Sequence, residues 1–580
     1  MKKLLAMTVC ILVCFMFASC SNGIDPEPGK TAEAAPTEES TPLPATDGST
    51  AEPVVTEGPA DVPATEIPAT EDPATEIPAT EIPVTETPAT DPPATDGEGL
   101  TDFGVTVLGD EVKSVMGVFN ISKGGKYKVY GTADKDADIS IIVDAPGEDV
   151  ELVLDNLTIL NSNLPAVRVL NARSVRLTVV GTVKLENKAV SGNADREQYS
   201  VISSLADLTV SGDYLFLNAG KANGIYADGI LTIIDANLNV TAGLDGIGAS
   251  AIGVQRSKID VEAMRDGIAT DDTRMIDDAR RGFITFNNSE ANITAVTNGI
   301  NAATNLTVYS GDYTVNVPYK DEYGTGILAH GAITLYDGNI TIQSPHEGIA
   351  AESDVLLDEK TLSRGSIEIY AGTVHIKTDN DCLRARYITV KQGKFELYDA
   401  KRAFSADELL ISEGDFDINV VHDVASVAKS FEYAGGRMQA YISGGSTPTK
   451  HNTFKMNGGI VCLESSNPEG SFGLPSDSHY NAGTFLFLGE STVIPDAEAA
   501  VPVVRLINVS LAPGRTYAIG QPADPILSTF TVYHAAYTQL WIASDTIIMN
   551  AVNQLSRVGD AADVYAWNQA NHYESVGVFG

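Results

Sequence analysis

Eight positions spaced through the middle of the chain carry side chains able to hold a cation or handle a proton: Asn223, Asp245, Asp266, Asn298, Thr325, Glu347, Asp381 and Arg402. Asp271 and Asp272 follow closely on the third of them, with Asp277 and Asp278 just beyond. Equivalent residues on stacked strands lie about 4.8 Å apart. At an effective dielectric near 20, Asp245 and Asp266 would then repel by about 3 kcal/mol. Two offsets are open. Water and self-capping turn geometry suit Asp and Asn; a hard cation such as Ca²⁺ takes six to eight oxygens from carboxylates and carbonyls. The density of acids around one coil favours calcium, with Asp245, Asp266, Asp271 and Asp272 as its ligands.

Other chemistry is thinner. Arg265, Arg274, Arg280 and Arg281 flank the acids, and no lysine falls between Lys258 and Lys320. An arginine is seldom a base, so Arg265 is a candidate partner for a ligand carboxylate or a salt bridge. A hydrolase needs two carboxylates at a defined separation, and a chain this acidic holds many such pairs by chance. His330, His346, His375, His422, His451 and His479 are scattered without metal spacing. Beyond Cys20, Cys382 and Cys462 give no disulfide framework and read as buried small residues. No catalytic residue is assigned.

Tyr226, Tyr309 and Tyr336, with Tyr370 and Tyr387, fall at or beside strand positions where a ring faces outward. Rows of rings on a flat sheet can stack on sugars, and tyrosine is also an ordinary surface residue of strands. Both readings stand; the first three are the candidate ligand-binding aromatics.

The elements that position these residues announce themselves as a repeat. Gly224-Ile225-Tyr226-Ala227 returns as Gly246-Ile247-Gly248-Ala249, Gly267-Ile268-Ala269-Thr270, Gly299-Ile300-Asn301-Ala302, Gly326-Ile327-Leu328-Ala329 and Gly348-Ile349-Ala350-Ala351. Degenerate copies are Cys382-Leu383-Arg384-Ala385 and Ala403-Phe404-Ser405-Ala406. Undisturbed copies are about 21 to 22 residues apart, a solenoid period. Two further alternating triplets follow in each coil, such as Leu306-Thr307-Val308 and Ile340-Thr341-Ile342. Three short strands per coil predict an all-β, right-handed parallel β-helix over residues 101–445. A β-rich region, 446–580, continues or caps it. The Ile of each copy falls in an inner column, and the Gly before it is expected at positive φ in a tight turn.

Residues 1–19 read as a signal peptide: Lys2-Lys3, an apolar stretch, then Phe17-Ala18-Ser19 before Cys20. This resembles a bacterial lipobox and makes Cys20 the expected lipidation site. Residues 20–100 are a Pro/Thr/acidic spacer expected to be extended and disordered. About 17 of the 39 net negative charges fall in it. The strongly acidic remainder argues against nucleic acid and against anionic membrane surfaces, so the membrane is met only through the N-terminal lipid. The expected location is the extracellular face of the cell membrane, as a monomer.

Asp149-Val150-Glu151-Leu152-Val153-Leu154-Asp155, the Asp/Asn-Gly-Ile turns, Asp266-Gly267-Ile268-Ala269-Thr270-Asp271-Asp272 and Asn452-Thr453-Phe454-Lys455-Met456-Asn457-Gly458-Gly459 resemble the carbohydrate-binding-domain family of clostridial surface proteins. The resemblance implies a polysaccharide-lyase-like β-helix that binds calcium and attaches to cellulose and acidic, polygalacturonate-like plant polysaccharides without established catalysis. Thr325, Glu347, Cys382 and Arg402 depart from the family's Asp-Gly turn. The alternatives are a calcium-dependent lyase on pectate-like chains and a structural or adhesive stalk.

Overall fold

The computed structural model describes residues 99–131, 136–161, 164–188, 200–271, 281–318, 324–352, 365–444, 453–465, 478–489, 500–521, 524–547, 552–558 and 573–579. The signal segment, Cys20, most of the spacer and Asp272 lie outside them, as do Arg274, Asp277, Asp278 and Arg280.

Among the described residues every regular element is a strand, and most pair in parallel to form a β-solenoid of about 13 turns. One coil consists of Ile327–Ala329, Ala332–Leu335 and Asn339–Ser344. These pair in register with Ile349–Ala351, Ser366–Ile369 and Thr373–Thr378 of the next. We call the three stacks the first, second and third sheets. Side chains alternate inward and outward along each strand, so Ile225, Ile247, Ile268, Ile300, Ile327, Ile349, Leu383 and Phe404 stack directly. None is more than 1% exposed, and each contributes roughly 1.5–3 kcal/mol by burial. In the third sheet the inner column widens to aromatics, where Phe395 stacks on Phe416 at 4.5 Å.

The glycine before each Ile corrects one expectation. Gly224, Gly246, Gly267, Gly299, Gly326 and Gly348 are not at positive φ. Space is what excludes a side chain there: a Cβ on Gly224 would lie 2.6 Å from the carbonyl oxygen of Gly246, and one on Gly299 2.6 Å from that of Gly326. The left-handed backbone belongs to the turn between the second and third sheets. There Gly311, Gly338, Gly372, Gly393 and Gly414 have φ of 130, 118, 101, 136 and 139°.

At the N-terminal end two antiparallel hairpins, Leu100–Asp102 with Val105–Leu108 and Val112–Val115 with Val118–Ile121, precede the first parallel pairing, of Val118–Ile121 with Ser140–Asp144. Parallel stacking runs on past residue 445 through Thr453–Ser465 to Ser478–Leu488. That last strand then pairs antiparallel with Tyr537–Ser544. A separate four-stranded antiparallel sheet follows: Asp524–Val532, Arg515–Gln521, Asn553–Val558 and Tyr573–Phe579. Cys382 and Cys462 are buried free thiols.

Candidate functional site

The polar column forms as one continuous row at the corner entering the first sheet. The N–H of Gly224, Gly246, Gly267, Gly299, Gly326 and Gly348 donates to the carbonyl of Asp245, Asp266, Asn298, Thr325, Glu347 and Asp381 respectively. The row faces protein rather than water: Asn223 is 1% exposed, Asp245 2% and Glu347 2%. Side chains cap the backbone of the following coil. Asn223 Oδ1 accepts from the Asp245 N–H at 3.0 Å, Asp266 Oδ1 from Asn298 N–H at 3.0 Å, and Asn298 Oδ1 from Thr325 N–H at 3.2 Å.

Burying carboxylates this way requires partners, and the chain supplies them. Arg265 Nε and Nη2 donate to the two oxygens of Asp245. Asp266 has amides instead: Asn298 Nδ2 at 3.0 Å on one oxygen and Asn301 Nδ2 at 3.0 Å on the other. Burial pushes its carboxyl above the ordinary value, opposed by those hydrogen bonds. Further along, Arg402 donates to Asp381 at 2.7 and 3.1 Å, and Glu347 meets Arg384, Asn380 and His346.

Both Asp245 oxygens are taken by a guanidinium, and a cation beside Asp266 would sit against that charge, so the two buried acids fit a Ca²⁺ poorly. Asp271 is exposed and Asp272 lies outside the described residues. Among the described residues no group of three or more His, Cys, Asp or Glu is placed to hold a metal.

The structure brings Asp245, Asp266 and Arg265 together but puts the tyrosines elsewhere. Tyr309, Tyr336 and Tyr370 each follow a strand of the second sheet, and they stack on one another: 5.3 Å and 6° for the first pair, 5.0 Å and 24° for the second. Rings one coil apart cover each other's faces, so Tyr336 offers a sugar only its edge and hydroxyl. Tyr226 lies on the outer row of the first sheet, its ring over Gly248.

A cleft of about 780 Å³ opens where the first sheet turns into the second. Small residues line it, among them Ala351, Ala385, Ser405 and Ser426, with Glu352, Arg384, Arg386 and Asp407 at its sides. Arg384 Nη2 donates to Glu352 Oε1 at 3.0 Å, and its Nε lies 3.1 Å from Glu347. His330 Nδ1 is 3.3 Å from the other Glu352 oxygen. That contact first, together with Arg384, holds the Glu352 carboxyl below its ordinary value against desolvation. Arg386 Nε donates to Asp407 at 3.3 Å. These residues were not singled out from sequence for binding. The available signal was Arg384 at the outward position of a degenerate Gly-Ile-x-Ala copy.

The chain belongs to the carbohydrate-binding domain-containing protein family, which it matches over residues 117–325 and 320–467. No curated protein matches it significantly. A solved structure described as the polysaccharide lyase-like protein from C. thermocellum, gadolinium derivative, is similar at 24% identity. The match covers 40% of this chain and 90% of that one, with a TM-score of 0.34.

Proposed function

We propose that the protein binds polysaccharide without cleaving it, in the cleft beside Arg384 and Arg386. The observation that supports this reading is the cleft's composition: in a chain of net charge −39, a lining of small residues is flanked by two arginines, Arg384 and Arg386, set beside Glu352 and Asp407. Small residues let a sugar chain approach the backbone closely. Arg386 commits Nε to Asp407 and keeps its terminal nitrogens for a ligand carboxylate or hydroxyl. An acidic glycan is therefore the favoured ligand of the cleft. The protein is held at the outer face of the membrane by lipid on Cys20, with residues 20–100 as its tether. Titration calorimetry of the full chain with oligogalacturonate tests the binding. An Arg386→Ala variant should lose about tenfold in affinity, and absence of binding to any acidic oligosaccharide overturns the reading. The same titration with Ca²⁺ and with chelator tests calcium dependence, which would rest on Asp271 and Asp272.

A second reading, cleavage by elimination, is favoured by one specific arrangement at the cleft. A histidine held by Glu352 can take a proton, and Arg384 can stabilise the charge that develops. Ultraviolet absorbance from an unsaturated product separates this reading from binding alone.

A further inference from the structure

The two hairpins at the N-terminal end of the solenoid turn through two-residue loops. Asp102 pairs with Val105 around Phe103-Gly104, and Val115 with Val118 around Met116-Gly117. Both residues of each loop lie at positive φ, 48 and 79° in the first and 52 and 81° in the second. Tight hairpins favour this backbone, and Asn-Gly or Asp-Gly fills it most readily. A bulky side chain is strained there. Elsewhere among the described residues, every non-glycine position at positive φ holds Asn, Asp, Glu or Arg. Only these two tips hold apolar residues.

The same side chains stand out in water. Phe103 is 59% exposed, Met116 87% and the neighbouring Val115 64%. They form one patch, because Asp102 Oδ2 accepts from Ser114 Oγ at 2.5 Å and from the Gly117 N–H at 3.2 Å, which ties the first tip to the second. A Cβ on Gly117 would lie 3.3 Å from the Phe103 ring. The exposed charges of the second hairpin, Asp110, Glu111 and Lys123, gather at its far end. Strained backbone and hydrated apolar surface both count against these residues in the isolated molecule. Exposed apolar groups of this kind mark contact surfaces.

We infer that Phe103, Val115 and Met116 enter the interface of a lipid bilayer, a membrane contact in addition to the lipid proposed on Cys20. The tether arrives at this place: residues 20–98 run into Gly99, and the first strand, Leu100–Asp102, ends at the first tip. Anchoring at Cys20 therefore holds this end of the solenoid towards the membrane and raises the effective concentration of lipid around it. A second copy of the chain is a poorer occupant, since three side chains fall far short of the roughly 800 Å² that each partner of a stable dimer buries. A wedge in a headgroup layer has no such threshold, because its binding scales with whatever apolar area it buries. Asp102 and the exposed Asp138 lie close to the tips, and the chain carries a net charge of −39, so the lipid it favours is zwitterionic rather than anionic. The inference goes beyond the polysaccharide reading and rests on the anchoring at Cys20 proposed with it.

The test places the full chain on phosphatidylcholine vesicles. In Met116→Trp, the emission added relative to wild type should shift to the blue and be quenched at least twofold by lipids brominated on their acyl chains. Phe103→Asn/Met116→Asn gives both loops the Asn-Gly pair that their backbone prefers. This double variant should melt no lower than wild type and should lose the slowing of amide exchange that vesicles cause over residues 100–120. A purely structural role for the two side chains would lower the melting temperature instead. An indole that the brominated lipid leaves unquenched overturns the inference. So does exchange over 100–120 that slows with protein concentration in detergent and not with vesicles, the signature of a second copy. Quenching that grows when phosphatidylglycerol is added overturns the choice of lipid. The mass of the N-terminal peptide reports the anchor separately: quenching without lipid on Cys20 sustains the tips and overturns the anchoring. Oligogalacturonate affinity in the double variant should stay within twofold of wild type, which keeps the cleft's reading apart from this one.

Discussion

Arg265 spans one coil to hold both oxygens of Asp245, a carboxylate 2% exposed at the corner of the solenoid. The pair answers the repulsion between stacked acids with a cation built into the chain. Removing one member of a buried pair leaves the other uncompensated, and costs more than the pair itself contributes. Arg265→Met should therefore destabilise the fold by about 3 kcal/mol. Adding Asp245→Asn should recover most of the loss. Denaturation midpoints of the single and double variants check this, and equal midpoints would show that Asp245 finds another partner.

Asp423 continues the column, in register with Arg402. Burial pushes its carboxyl up to about 6, with the Arg402 charge pulling the other way. The unfolded chain loses this proton near 3.8, so the folded state binds more protons between the two values. The contribution of Asp423 is thus fully present below about pH 4 and is lost as pH rises through 6, a decline on the order of 2 kcal/mol. Asp423→Asn should remove that part of the pH dependence. Stability measured at intervals from pH 4 to 7 in both proteins provides the check, and parallel curves would contradict the argument.

Gly299→Ala places a methyl group 2.6 Å from the carbonyl oxygen of Gly326, closer than atoms pack. The coil must shift or its hydrogen bond to the neighbour must lengthen, a cost of about 1–3 kcal/mol or more. Gly104, with φ of 79° and open space around its Cβ direction, makes the contrast: alanine there meets backbone strain without crowding, and should cost about 1 kcal/mol. A larger loss at Gly104 than at Gly299 in thermal melts would count against the crowding explanation.

The stacking itself was legible because a strand repeat with an invariant inner apolar residue leaves one geometric solution: Ile225 to Phe404 had to form a column. The acid row was legible for the same reason. Its partners were not, because Arg265 pairs with a residue twenty positions away and Asn301 reaches back across a coil to Asp266, relations that no local spacing encodes. The glycine's role was misjudged since sequence cannot separate a need for positive φ from a lack of room. The burial of ring faces within the Tyr309 stack follows from coil spacing: side chains about 5 Å apart leave no room for a sugar between them.

Tyr336 sits between Tyr309 and Tyr370 with both faces covered. Its removal opens a gap in the stack and exposes the two remaining faces to water. Tyr336→Ala should lower stability by about 1–3 kcal/mol, since two ring contacts of roughly 0.5–1.5 kcal/mol each are lost. Because the ring is covered by its neighbours, affinity for oligogalacturonate should stay within twofold of wild type. Tyr370→Ala loses a single ring contact, with Tyr336, and an exposed hydrogen bond to Glu368, and should cost about half as much. Calorimetric melts and glycan titrations on the two variants decide the matter. A stable Tyr336→Ala protein with weakened glycan binding would return the stack to the role of a sugar-binding face.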